Sequence, residues 1–220
     1  MSTNQKKIKM NWLKKISQKP MPLPVNYTHD DEVDFGASKI RDIMTYETAD
    51  QLNLQYPNMK YLGSGRDGIT YRTSSGSIVK FTNDLKEAET ATIVYNNPLD
   101  WVVPILSPPK QIQQDLQDQY RPNETSLWAI EMKELKIPTT DERRLINWLT
   151  FRCDTEKFHS LNQAVDVFGQ DIDQKTLSNI YNQTKHIIES NKNTLWLTDI
   201  HGGNVGWDED RKLKVFDFGG

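Results

Sequence analysis

The sequence predicts an α+β fold of two lobes: a five-stranded antiparallel N-lobe with one helix, then a truncated, mainly helical C-lobe. Three observations predict it. Short apolar runs separated by glycine and serine turns fill the stretch from Met59 to Met132. Helical periodicity dominates after that stretch. A final pair of short strands then closes the chain.

Taken in order, "MKYL" reads as a strand, "GSGRDG" as a glycine turn, "ITYR" as a second strand, "TSSG" as a turn and "SIVKF" as a third strand. "NDLKEAETATIVYNN" follows as a helix that opens on the capping pattern Asp84-x-x-Glu87. "WVVPIL" is apolar enough for the fourth strand, "PPKQIQQDLQDQYRPNETS" is a polar excursion, and "LWAIEM" is the fifth strand. A hinge near 132–136 leads to Thr139-x-x-Glu142, a capping box with Leu145, Trp148 and Leu149 on one face behind it. Leu177, Ile180, Tyr181, Thr184, Ile187 and Ile188 then form the stripe of a strongly amphipathic helix, which reads as core. "NTLWL", "NVGW", the acidic turn "DEDR" and the strand "KLKVF" complete the chain. The implied division is a basic N-terminal arm and extension over 1–58, the β-lobe over 59–132 and the helical lobe over 133–220.

Composition narrows the function classes. With 36% hydrophobic and 26% charged residues the chain reads as globular, and no apolar run approaches the roughly 20 residues that span a bilayer. The single cysteine, Cys153, excludes an internal disulfide and a cysteine-based zinc cluster, which suits a reducing, cytoplasmic setting and a buried, inert thiol. A net charge of −3 argues against a general nucleic-acid binder. The charge is uneven, because Lys6, Lys7, Lys9, Lys14, Lys15 and Lys19 precede the first acid, Asp30. With Trp12, Leu13 and Ile16 this arm is either a solvated tail or a contact for an anionic surface or partner.

Several residues carry chemistry. Gly63-Ser64-Gly65-Arg66-Asp67-Gly68 is a G-x-G-x-x-G between two strands, where a turn without Cβ atoms brings backbone N–H groups close to phosphate oxygens. Lys80 lies in an apolar strand between Val79 and Phe81, a costly position without an anionic partner. Glu87 and Glu89 on the next helix compete to be that partner. They point about 200° apart, so only one can face Lys80. Glu87 is taken first, although it is also where a capping box would use it. Near the end of the chain, "LTDIHGGNVGW" sets Asp199 and Asn204 five apart, and Asp217 follows in "DFGG". A carboxylate that orients a hydroxyl, with an amide oxygen and a second carboxylate on Mg²⁺, is the set that phosphoryl transfer needs. Gly202 and Gly203 let that loop turn tightly.

The order of glycine-rich loop, strand lysine, helix glutamate, D-x-x-x-x-N and D-F-G resembles the protein kinase-like superfamily over residues 59–220. The resemblance implies ATP and Mg²⁺ as cofactors. It places Gly63, Ser64, Gly65 and Gly68 over the phosphates, with Lys80 holding them and Glu87 holding Lys80. It makes Asp199 the catalytic base and puts Mg²⁺ on Asn204 and Asp217. It also makes Glu131 to Leu135 the hinge that receives adenine, with Glu131, Met132 and Lys133 among its contacts. Leu197-Thr198-Asp199 stands where eukaryotic protein kinases read H-R-D, and His201 makes the loop more like the D-x-H-x-x-N of aminoglycoside and choline phosphotransferases, or of compact phage kinase-like proteins. His201 either braces the loop by a hydrogen bond or enters the chemistry. No activation segment follows "DFGG" in the sequence, so the expectation is either a minimal member that builds its substrate platform elsewhere or a chain from which a piece is missing. Three readings follow: a serine/threonine protein kinase; a small-molecule phosphotransferase with an acidic pocket drawn from Asp171, Asp173 or Glu131; or a nucleotide-binding pseudokinase that serves as an interaction module.

Overall fold

A computed structural model describes residues 51–52, 54–64, 68–113, 126–151, 158–195, 197 and 199–218. The basic arm, Gly65 and Cys153 lie outside the described residues.

Five strands form one antiparallel sheet: β1 (Lys60–Ser64), β2 (Gly68–Arg72), β3 (Ile78–Thr82), β4 (Lys110–Gln113) and β5 (Leu127–Met132), in the order β1-β2-β3-β5-β4. The number of strands matches the expectation, but the fourth is a different segment. "WVVPIL" makes only isolated bridges, Val102 to Val215 and Ile105 to Met132. Pro104 has no N–H to give a ladder, so this apolar run cannot continue as a central strand. The polar Lys110–Gln113 occupies the edge instead, beside β5. An edge strand needs only one apolar face, so little in its sequence announces it.

The sheet separates two apolar clusters, as strand alternation requires. On the outer face Ile69, Tyr71, Val79, Phe81, Leu127 and Ala129 pack with Leu52 and Tyr56, so the residues just before β1 cover this side. On the inner face Ile78, Ile130 and Met132 join the helices and the final hairpin in one larger cluster.

The helices are α1 (Leu85–Asn96), α2 (Thr140–Thr150), α3 (Leu161–Phe168) and α4 (Gln174–Asn193). In α2 the Thr139–Glu142 capping box closes in both directions. The α4 stripe is buried at Leu177, Ile180, Thr184, Ile187 and Ile188, as its spacing predicts. A two-stranded hairpin, β6 (Val205–Trp207) and β7 (Leu213–Val215), ends the described fold. Its β7 strand is bonded to the "WVVPIL" run, where Val103 N–H donates to Val215 O at 2.9 Å and Val215 N–H to Trp101 O at 3.0 Å. The run expected as a strand therefore links the five-stranded sheet to the final hairpin.

Candidate active site

Lys80 lies in the middle of β3, on the sheet face that also carries its ladder neighbour Ile130. Its Nζ donates to Glu87 Oε1 at 2.5 Å and to Asp217 Oδ1 at 2.9 Å. The lysine side chain is 14% exposed, Glu87 1% and Asp217 31%. One cation thus joins β3, α1 and the segment after β7.

The capping pattern at α1 explains why Glu87 is available. Asp84 caps the helix by accepting from Lys86 N–H and Glu87 N–H. A complete capping box would send Glu87 back to the Asp84 N–H. That N–H donates to Thr82 Oγ1 instead, at 3.1 Å, and the Thr82 side chain also bonds Glu87. Glu87 is thereby released toward Lys80, while Glu89 stays exposed.

Burial opposes charge on Lys80, but Glu87 and Asp217 outweigh it and hold its pKa above the ordinary lysine value. Burial pushes the Glu87 carboxyl up, and Lys80 offsets this only in part. We take Lys80 as a cation, because two carboxylates face it, and Glu87 as the member that burial penalises.

Gly68 makes room for the lysine: a Cβ there would sit 2.7 Å from Lys80 Cε and 3.0 Å from Phe81 O. At Gly63 a Cβ would meet open space, and Ser64 ends β1.

The hairpin register brings the other two motifs together. Val205 pairs with Val215, and Phe216 N–H donates to Asn204 O at 3.0 Å. Asn204 therefore lies opposite the residue preceding Asp217. The buried Asn204 side chain turns its Nδ2 toward Asp199, donating to Asp199 O at 3.0 Å and Oδ2 at 3.3 Å. With Nδ2 bonded in this way, Oδ1 is the amide oxygen that could meet a cation. Asp199 is itself 59% exposed, open to an incoming group. Among the described residues no group of three or more His, Cys, Asp or Glu is arranged to hold a metal. A cation here would take one carboxylate and one amide oxygen, a hard-donor set that suits Mg²⁺ when phosphates and waters complete it.

His201 braces the loop. Its Nδ1 accepts from Gly203 N–H at 2.9 Å, which places the proton of the neutral ring on Nε2. Nε2 stands 3.7 Å from Asp199 Oδ2, beyond hydrogen-bond distance. Gly202 and Gly203 are needed for a reason other than a tight turn, since neither has a positive φ. A Cβ on Gly202 would lie 2.6 Å from the Arg143 carbonyl of α2, and one on Gly203 2.7 Å from the His201 ring.

In the segment expected as a hinge, Glu131 O accepts from Leu106 N–H at 2.8 Å and Lys133 N–H donates to Pro104 O at 3.0 Å. Met132 is buried, and Glu131 Oε1 accepts from Ser77 Oγ at 2.7 Å. Glu134 forms an ion pair with Arg72 of β2. The acids considered for an acidic pocket are engaged separately: Asp171 lies 3.8 Å from Arg144, Asp173 caps α4, and Glu131 holds Ser77.

Sequence reasoning passed over two residues beside the loop, Asn147 on α2 and Asn191 on α4. Asn191 had a signal: it extends the α4 stripe one turn beyond Ile187 and Ile188 and is 7% exposed, a polar residue at a core-facing position. Asn147 is exposed and had none.

The sheet order, the lysine–glutamate pair between β3 and α1, and a hairpin that sets Asn204 beside Asp217 together make an α+β fold whose arrangement is the one the sequence resemblance leads one to expect. No family model and no curated protein matches the chain. Several solved structures align with the chain at low identity. The streptomycin–ATP ternary complex of APH(2'')-IIa is 15% identical with a TM-score of 0.34, covering 80% of this chain and 70% of that one. An apo pseudokinase is 14% identical with a TM-score of 0.36, covering 72% and 56%. ADP-bound aminoglycoside phosphotransferase APH(2'')-Ib is 14% identical with a TM-score of 0.34, covering 80% and 70%. The functional reading rests on the site's own geometry.

Proposed function

We propose that this protein is a Mg-ATP-dependent phosphotransferase that moves the γ-phosphoryl group to a serine or threonine hydroxyl of a protein. The observation that carries the reading is Lys80 held between Glu87 and Asp217, with Asn204 and Asp199 on the adjoining loop. Phosphoryl transfer needs little covalent help from the protein, and positioning with charge neutralisation does most of the work.

In this reading Lys80 holds the nucleotide phosphates and Glu87 fixes its direction. Gly63, Ser64, Gly65 and Gly68 cover the phosphates. Glu131, Met132 and Lys133 border the adenine. Since Glu131 O and Lys133 N–H already bond the segment 104–106, the backbone just beyond them is the better placed to bond the base. Asn204 and Asp217 would hold Mg²⁺, which supplies neutralisation of phosphate charge when bound. The acceptor hydroxyl oxygen attacks the γ-phosphorus, the bond to the β,γ-bridging oxygen breaks, and ADP leaves. Asp199 orients the hydroxyl and takes its proton.

Intact mass of the chain and of an added serine- and threonine-rich protein, after incubation with Mg-ATP, tests this. Phosphate added by the wild type and not by Asp199→Asn is the expected result. Equal incorporation by both variants, or none by either, contradicts it. The D-x-H-x-x-N spacing supports a second reading, transfer to a small hydroxylated molecule. ADP would then form only when such a molecule is supplied. Stabilisation by nucleotide with no transfer to any acceptor would mark an interaction module instead.

A further inference from the structure

The carboxylate proposed as the base sits on a loop, and that loop is gripped by two asparagines from two different helices. Asn191, at the end of α4, donates through Nδ2 to Leu197 O at 2.8 Å and accepts at Oδ1 from Leu197 N–H at 2.7 Å. Both hydrogen-bonding groups of one backbone residue are thus held by one side chain, two positions before Asp199. On the other flank, Asn147 of α2 accepts at Oδ1 from Gly202 N–H at 2.6 Å, three positions after Asp199. Gly202 lies against the same helix, where a Cβ would meet the Arg143 carbonyl at 2.6 Å and the Arg143 Cα at 2.9 Å. The loop is therefore pressed onto α2 by shape as well as by the bond.

We infer that Asn147 and Asn191 are positioning residues for Asp199, a clamp that fixes the loop from both sides without touching substrate. The inference rests on the phosphotransfer reading for its catalytic consequence and on geometry alone for the clamp. A loop has no ladder or helix to hold its backbone, so its position is only as definite as the bonds that reach it from rigid elements. Misplacing a reacting group by about 1 Å can cost about 100-fold in rate. Asn147 is exposed, so replacing it disturbs no core, whereas Asn191 is buried and its loss would mix folding with catalysis.

The test compares wild type, Asn147→Leu and Asn147→Asp by steady-state transfer, by ATP affinity and by amide hydrogen exchange at Gly202. Asn147→Asp keeps an oxygen acceptor for the Gly202 N–H, and Asn147→Leu removes it. In the leucine variant kcat should fall about 30-fold while ATP affinity changes by less than about twofold, since the loop and not the phosphate grip is displaced. Gly202 exchange should quicken about tenfold or more in that variant, with both effects largely reversed in Asn147→Asp. Unchanged Gly202 exchange in Asn147→Leu would overturn the clamp. Faster exchange with unchanged kcat would overturn the positioning role. Parallel loss of kcat and ATP affinity, unrescued by aspartate, would show a general structural role and overturn it too. A wild type with no transfer activity would refute the phosphotransfer reading, and the Gly202 exchange pattern would still decide the clamp.

Discussion

The two halves of the site are built by opposite means. On the sheet side, Lys80 and Glu87 sit on β3 and α1, and regular backbone delivers them: strand alternation sets the lysine's face and a helix cap sets the glutamate's turn. On the hairpin side, Asp199 sits on a loop that owes its place to Asn147, Asn191, His201 and the close approach of Gly202 to α2. The first half is held by a buried charge pair, the second by neutral hydrogen bonds and shape. Breaking the first should therefore threaten the fold and the chemistry together, while breaking the second should mainly affect the chemistry.

The largest effect belongs to Lys80→Ala. It leaves Glu87 buried without its cation, a kind of loss that typically costs about 3 kcal/mol or more. For a chain of this size that corresponds to a melting temperature lower by roughly 6–12 °C. The sign of its pH dependence follows from Glu87. A carboxyl whose pKa is raised in the folded state weakens the fold as pH climbs from the ordinary glutamate value of about 4.3 through the folded one. Without Lys80 to offset burial, the deficit should be smallest in acid and grow toward neutral pH in thermal melts. The double variant Lys80→Met/Glu87→Leu should recover much of the stability but no transfer activity, because two apolar groups replace the buried pair and the carboxylate that loses its lysine, Asp217, is 31% exposed.

Gly202→Ala probes the other half. Its new Cβ meets backbone and cannot be accommodated by a rotamer change. Transfer should fall by about 100-fold, with a stability loss of about 1–3 kcal/mol. If Gly202→Ala melts lower than Lys80→Ala, the contrast between the halves is wrong.

The fold was legible where periodicity or capping carries it. The α4 stripe, the Thr139–Glu142 box and the first three strands follow from local pattern, and the spacing of Asp199, Asn204 and Asp217 suggested one shared location. The choice between Glu87 and Glu89 was not legible, because it turns on a Thr82 hydroxyl that takes over half of the cap. The fourth strand was not legible either, since "WVVPIL" has strand composition but spends its backbone on β7 and Met132. Asn147 could not be found from sequence at all: an exposed asparagine on a helix looks like any other until a loop from 55 positions away docks on it.

A smaller test sharpens the sheet side. Asp84→Ala removes the α1 cap and should cost about 1 kcal/mol. Because the cap also sets the turn that carries Glu87, nucleotide affinity should fall along with stability in the same calorimetric titration. The smallest effect lies at Asp173, the exposed cap of α4, whose bonds to Thr176 hold its carboxyl below the usual aspartate range. Its stabilising contribution is present above the ordinary aspartate pKa and is lost as pH falls through the folded one. Asp173→Ala should therefore melt slightly lower than wild type at neutral pH and indistinguishably from it in strong acid.

The central claim, that Lys80, Asn204 and Asp217 form a metal–nucleotide site, is tested most directly by thermal stabilisation with ATP, with and without Mg²⁺, in wild type and Asp217→Asn. At ligand concentrations about 100 times Kd the gain should be about 2.7 kcal/mol, or roughly 5–11 °C. Mg²⁺ should be needed for most of this gain in the wild type and should add nothing in Asp217→Asn. Equal stabilisation with and without Mg²⁺, or an undiminished Mg²⁺ effect in Asp217→Asn, would contradict the claim.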